Sequence, residues 1–262
     1  MLVVAHPGHE LRVFGWLNAA RPLVQVLTDG AGRGDVGRAS ASRALIEAAG
    51  GRVGGVFTAV RDGELYADLL EARSYGLVAI LERLTQEAIE HRIAVLVGDA
   101  AEGYNPVHDL CRVLIDAVAL LVERRSGRRV LNLSFDLTEW ETPTPRGDAS
   151  VDLVLDPEAH AEKIAAARAY PGLRGDVDLA LATLGEDDFR VERFWRSEGA
   201  PPPAAPAYEA TGEARVRAGR YRRAVRYADH VAPVAEALIR YARTAGGAEN
   251  KANHPILVNE PT

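Results

Sequence analysis

Cysteine is almost missing from this chain of 262 residues. Cys111 stands alone, which excludes an intrachain disulfide framework and any zinc site built from cysteines. Lysine is nearly as scarce, with only Lys163 and Lys251 among 31 basic residues. Together with abundant alanine, that bias reflects GC-rich coding and carries no functional message. Basic charge is not in excess either: 31 basic and 37 acidic residues leave a net charge of −6, which argues against a nucleic-acid footprint. Long apolar runs are absent as well. A membrane-spanning helix needs about 18 uninterrupted apolar residues, and the best candidate, 113–122, is broken by Asp116. Nor does a charged-then-apolar leader open the chain, because Met1 runs straight into Leu2-Val3-Val4-Ala5. These absences lead to the expectation of a cytoplasmic protein without nucleic-acid or membrane partners.

What remains is ordinary globular material, 47% apolar and 26% charged, with enough length for a large buried core. Strand-length apolar runs lie at 2–5, 23–27, 53–58, 93–97, 130–135 and 151–155. Between and after them, 40–49, 75–91, 106–124, 157–170 and 222–243 have helical spacing. Near-continuous apolar strands alternating with helices predict an α/β fold, a Rossmann-like and mostly parallel sheet with helices on both faces. The reading is a single domain over 1–262. Its core covers about 1–137, a C-terminal part over about 138–245 completes the site, and 246–262 is a polar tail. Such sheets bind ligands at the carboxyl ends of their strands. The glycines of Gly30-Ala31-Gly32-Arg33-Gly34 do not spell a dinucleotide fingerprint and read as a loop over a cleft.

The loop after the first strand reads Ala5-His6-Pro7-Gly8-His9-Glu10. Pro7 and Gly8 permit a sharp turn, so two imidazoles three residues apart can converge on one point. Zinc accepts imidazole nitrogen and needs a third protein ligand. The loop after the fourth strand offers one. Asn105 suits the N-cap of the following helix, Pro106 its first position and Gly127 its stop, which puts His108 in the first turn. Strands one and four can be neighbours in a doubly wound sheet, so His6, His9 and His108 form a candidate metal site. Cys111 falls on the apolar stripe of the same helix and reads as core.

Val3-Val4-Ala5-His6-Pro7, Glu10, Leu27-Thr28-Asp29-Gly30, Val60-Arg61-Asp62-Gly63-Glu64-Leu65 and His108-Asp109 together resemble the LmbE/PIG-L family of zinc-dependent N-deacetylases. The resemblance covers about 2–135, with a weaker echo at Phe189–Phe194. It implies a Rossmann-like fold, zinc between the first loop and a histidine after the fourth strand, and removal of an acetyl group from an amino sugar or related N-acyl small molecule. It also places Arg38 and Asp62 where the family holds substrate; Asp29 and Tyr104, in neighbouring strand-end loops, are expected to bind substrate as well. Two positions depart from the family pattern. Where the family has Ala-His-Pro-Asp-Asp-Glu, this chain has Gly8 in place of the aspartate that acts as base, and His9 in place of the ligand aspartate. Where the family has His-Pro-Asp-His, Asn105 replaces the histidine that stabilises the oxyanion. Glu10 and Asp109, with Asp29 on a neighbouring strand-end segment, are then the carboxylates that could accept the proton, and Asn105 an oxyanion donor.

Two alternatives stay open at this stage. One is a metal-binding relative that has lost deacetylation and runs another zinc-assisted reaction or only binds a ligand. The other is a nucleotide-sugar transferase on a similar fold. Homo-oligomer formation is also left open.

Overall fold

The computed structural model describes residues 1–31, 38–137, 150–197, 199 and 205–245. Part of the glycine run, most of the loop expected at 138–150, the Pro201-Pro202-Pro203 cluster and the polar tail lie outside them.

The elements in chain order are β1 (Leu2–Val4), a 3₁₀ turn (His9–Val13), α1 (Phe14–Ala20), β2 (Leu23–Thr28), α2 (Arg38–Ala48), β3 (Arg52–Val60), α3 (Asp62–Leu70), α4 (Tyr75–Glu90), β4 (Val95–Asp99), α5 (Pro106–Ser126) and β5 (Leu131–Phe135). The C-terminal part adds β6 (Val151–Val154), α6 (Pro157–Ala169), α7 (Arg174–Leu184), β7 (Val191–Arg196), α8 (Ala207–Arg217) and α9 (Ala232–Thr244). The strands form one sheet in the order β3-β2-β1-β4-β5-β7-β6. β1 pairs in parallel with both β2 and β4, and β7 runs antiparallel between β5 and β6. Strand order therefore reverses between β1 and β4. That switch point opens a crevice at their carboxyl ends, where the His6–His9 loop and the loop before α5 emerge.

β1 shows why the sheet is read so easily from sequence. Leu2 and Val4 pack on one face with Val24, Val26, Leu17 of α1 and Ile46 of α2. Val3 and Ala5 face the other side with residues of α4, α5 and α9. Both faces are covered, so the strand is apolar at every position. α5 is capped as its sequence predicts: the Asn105 side chain accepts the Val107 N–H at 2.8 Å, Pro106 opens the helix, and Gly127 closes it in a left-handed conformation. No helix among the described residues is long and apolar enough to cross a membrane.

The helical and strand ranges read from the sequence miss α1, α3, α7, α8 and β7. In β7 the inward positions are Glu192 and Phe194, so the face that should read as apolar contains a carboxylate. Glu192 accepts the Gly15 and Trp16 N–H groups at 2.8 Å each and pairs with Lys163 at 2.8 Å. Lys163 also donates to Arg12 O at 2.7 Å. One buried ion pair thus ties α6 and β7 to the start of α1. The helix expected at 222–243 begins instead as a wide π-turn at Tyr227–Val231, followed by α9.

Candidate functional site

At the crevice three imidazoles meet. Ring centres lie 5.2 Å apart for His6 and His9, 5.0 Å for His6 and His108, and 4.6 Å for His9 and His108, all edge to face. The surrounding hydrogen bonds set the tautomers of the first two. Thr28 Oγ1 gives its own proton to Ala5 O (3.2 Å) and lies 2.7 Å from His6 Nδ1, so His6 Nδ1–H donates to it. Asp99 Oδ2 lies 2.8 Å from His9 Nδ1 and also accepts the Ala5 N–H at 2.7 Å. With both Nδ1 atoms engaged as donors, each ring keeps its Nε2 lone pair for another task. His108 Nδ1 is buried with no hydrogen-bond partner. Burial, then the neighbouring imidazoles, holds the His9 and His108 pKa values well below the usual histidine range, so both rings are neutral. Burial pushes Asp99 up to about 7.

The donor chemistry fits zinc. A tetrahedral ion with Zn–N bonds of about 2.0–2.1 Å puts ring centres about 3.2 Å from the metal and about 5.2 Å from each other. The observed spacings, 4.6 to 5.2 Å, lie at or inside that value. Orientation is less advanced: among the described residues no group of three His, Cys, Asp or Glu side chains already has its donors gathered for an ion. Binding would require the rings to turn.

Besides Asp99, which reaches His9, Asp62 is a second carboxylate that reaches the histidines. It opens α3, is 9% exposed, and places Oδ1 3.3 Å from His6 Nδ1. Its charge also acts on His9 and His108. Its backbone N–H donates to Asp29 Oδ1 at 3.0 Å, and Ala31 N–H to the same atom at 3.2 Å. Asp29 thereby braces the loop and the start of α3.

The other expected proton acceptors are engaged elsewhere. Glu10 is fully buried, with Oε2 accepting the Gly8 N–H at 2.8 Å and Oε1 the Ser42 hydroxyl. Ser42 in turn meets the Tyr170 hydroxyl at 2.7 Å. Glu10 is the brace of the first loop. Asp109 turns Oδ1 to the Gly103 N–H at 3.0 Å, and burial pushes its pKa up to about 7. Asn105 accepts from Val107 and, at 3.1 Å, from the Tyr66 hydroxyl. Arg38 clamps two loops by donating to Pro7 O and Gly30 O. The Tyr104 ring stands 6.4 Å from that of His108 and is 42% exposed.

Gly8 is explained by its neighbours. Its φ of +103° is a left-handed conformation, and a Cβ there would lie 2.3 Å from Leu173 Cδ1. Leu173 occupies the space that a Cβ at Gly8 would take. Asp99, Thr28, Ser42, Tyr170 and Leu173 were missed by sequence reasoning. Asp99 ends an apolar strand at the ligand-binding edge, a signal that could have been followed. Tyr170 and Leu173 lie more than 160 residues from Gly8 in sequence and offer no local signal.

No family model matches the chain, and no curated protein matches it. Five solved chains do. One is a triple mutant of a deacetylase of the teicoplanin biosynthetic pathway, 14% identical with a TM-score of 0.46. Another is the zinc-inhibited form of teicoplanin deacetylase Orf2, 14% identical with a TM-score of 0.45. Each match covers 76% of this chain and 99% of that one.

Proposed function

We propose that the protein hydrolyses the amide bond of an N-acyl small molecule, as an N-deacetylase-type enzyme, with zinc held by His6, His9 and His108. The observation that carries this reading is the convergence of three imidazoles, two of them anchored through Nδ1 by Thr28 and Asp99. The motif resemblance at His6-Pro7 and His108-Asp109 supports the same chemistry. Zinc, when bound, lowers the pKa of water and polarises a carbonyl.

The chain's own groups supply the rest. Asp62 accepts the proton of the attacking water and returns it to the leaving nitrogen as the C–N bond breaks, giving a carboxylate and an amine. Asn105 uses its carbonyl oxygen as helix cap, which leaves its NH₂ to donate to the oxygen that gains charge on the substrate. Thr28 and Asp99 fix the orientation of His6 and His9.

Purified protein is expected to hydrolyse N-acetylated amino sugars in a chelator-sensitive way, and His6→Ala to abolish that activity. Activity undiminished by His6→Ala would contradict the proposal. Asp99→Asn should weaken zinc affinity about 10- to 100-fold, because it anchors His9 from outside the ligand set. Competition with a fluorescent chelator measures this, and unchanged affinity would remove Asp99 from that role.

A second reading is favoured by Leu173: a metal-binding relative that does not hydrolyse amides. Gly8→Asp distinguishes the two kinds of history. With a left-handed backbone and Leu173 Cδ1 in the way of the side chain, it is expected to bring no gain in hydrolysis and to cost about 1–3 kcal/mol of stability. A gain only when Leu173→Ala is added would identify Leu173 as the block on a lapsed deacetylase.

A further inference from the structure

The Asn105 carboxamide is held from two sides. The Val107 N–H donates to its Oδ1 at 2.8 Å, and the Tyr66 hydroxyl donates to the same oxygen at 3.1 Å. A backbone N–H can only donate, so the atom facing it is the carbonyl oxygen and the orientation of the amide is fixed. The backbone of Asn105 is fixed too, because its carbonyl accepts the His108 and Asp109 N–H groups at 3.1 and 3.2 Å. Two donors engage both lone pairs of Oδ1. The NH₂ group remains, and no acceptor among the described residues takes its protons.

Tyr66 is brought to this place by α3. It lies four residues after Asp62 on the same helix face, about 6 Å further along the axis. The helix is anchored by Leu65 and Leu69, both buried, and at its start by the bond from the Asp62 N–H to Asp29. The Tyr66 ring packs half-buried against the same core, so its hydroxyl has little freedom. Burial, then the Asp62 charge, pushes the phenol pKa up from its usual value. The proton therefore stays on the hydroxyl and the bond keeps its direction. Helix capping does not call for this bond, since the Val107 N–H alone completes the side-chain cap of α5.

We propose that Tyr66 is a positioning residue, whose hydroxyl fixes the Asn105 carboxamide with its NH₂ free to donate to a substrate oxygen that gains negative charge. The inference rests on the amide-hydrolase reading for the identity of that oxygen. Donors fixed in advance stabilise developing charge without reorganising at the moment of reaction, and the second bond to Oδ1 supplies that fixity. Two donors on one carbonyl also draw electron density from the amide nitrogen, which strengthens its N–H groups as donors. An uncharged side chain, standing where the family pattern has a histidine, gains from both effects.

The test compares wild type, Tyr66→Phe, Asn105→Ala and the double variant. Phenylalanine keeps the ring in the core and removes only the hydroxyl. Calorimetry uses two probes, glucosamine and its methylphosphonamidate, whose tetrahedral phosphorus carries a charged oxygen where an acyl oxygen gains charge. Tyr66→Phe is expected to weaken phosphonamidate binding about three- to tenfold and to leave glucosamine binding unchanged. In hydrolysis of N-acetylglucosamine it should lower kcat by the same factor with KM unchanged. On the Asn105→Ala background the same substitution should change neither quantity. The NMR signal of the Asn105 side-chain NH₂, identified by its loss in Asn105→Ala, should shift in Tyr66→Phe. An unmoved signal, equal weakening of both probes, no phosphonamidate binding by wild type, or a Tyr66 effect that survives Asn105→Ala overturns the proposal. Hydrolysis insensitive to Tyr66→Phe removes Tyr66 from this role and keeps the hydrolase. Asn105-dependent loss of phosphonamidate affinity, in protein that hydrolyses no N-acetylated sugar, keeps the role of Tyr66 and removes the hydrolase reading.

Discussion

Asp62→Asn is expected to lower the rate of amide hydrolysis about 100- to 10,000-fold, the range lost when a general base is removed. The size follows from the lack of a substitute. Glu10 has both oxygens committed to Gly8 and Ser42, Asp109 turns to Gly103, and Asp29 holds the N–H groups of Ala31 and Asp62. Of these four, Asp62 comes within 3.3 Å of a site histidine, and Asp99, 2.8 Å from His9 Nδ1, is committed through the same oxygen to that ring and to the Ala5 N–H. Asparagine keeps the shape and the capping backbone, so zinc content and melting temperature should change little. Single-turnover measurements separate the loss of rate from any loss of binding. A variant retaining most of the wild-type rate would return the role of proton acceptor to another group.

Glu192→Gln is expected to cost about 3–5 kcal/mol of folding stability, because it leaves the buried Lys163 ammonium without its counter-charge. Lys163 and Glu192 have side chains 5% and 0% exposed. Burial already pulls the Lys163 pKa down, and Glu192 is what holds the charge in place. The same carboxylate also receives the Gly15 and Trp16 N–H groups, which a neutral amide serves less well. Urea denaturation measures the loss; a change below about 1 kcal/mol would mean that the pair contributes no more than a surface salt bridge. The pair binds the C-terminal part to the turn that carries His9, so weaker zinc retention should accompany the loss of stability.

The central strands β1, β2 and β4 were legible because both of their faces are covered, leaving near-continuous apolar runs. The α5 cap was legible because Asn105, Pro106 and Gly127 act locally. From these two features the meeting of His6, His9 and His108 followed, since strand order reverses between β1 and β4. The charge placement was not legible. Sequence position alone put Glu10 next to the ligand loop, and folding turned it inward onto Ser42. Asp62 was assigned to substrate, and folding placed it against His6. In both cases the side chain's direction depends on residues from other elements. β7 was hidden by Glu192, a buried charge that breaks the apolar alternation. Tyr170 and Leu173 reach Gly8 only through the tertiary fold.

The claim on which the rest depends is that the three imidazoles hold a metal. Elemental analysis of protein purified without chelator or affinity-tag metal tests it most directly. The expected result is one zinc per chain in wild type and in Asp62→Asn, and loss of that zinc in His6→Ala and His108→Ala. Wild-type protein that contains no divalent metal, and takes up none when zinc is added, would contradict the account.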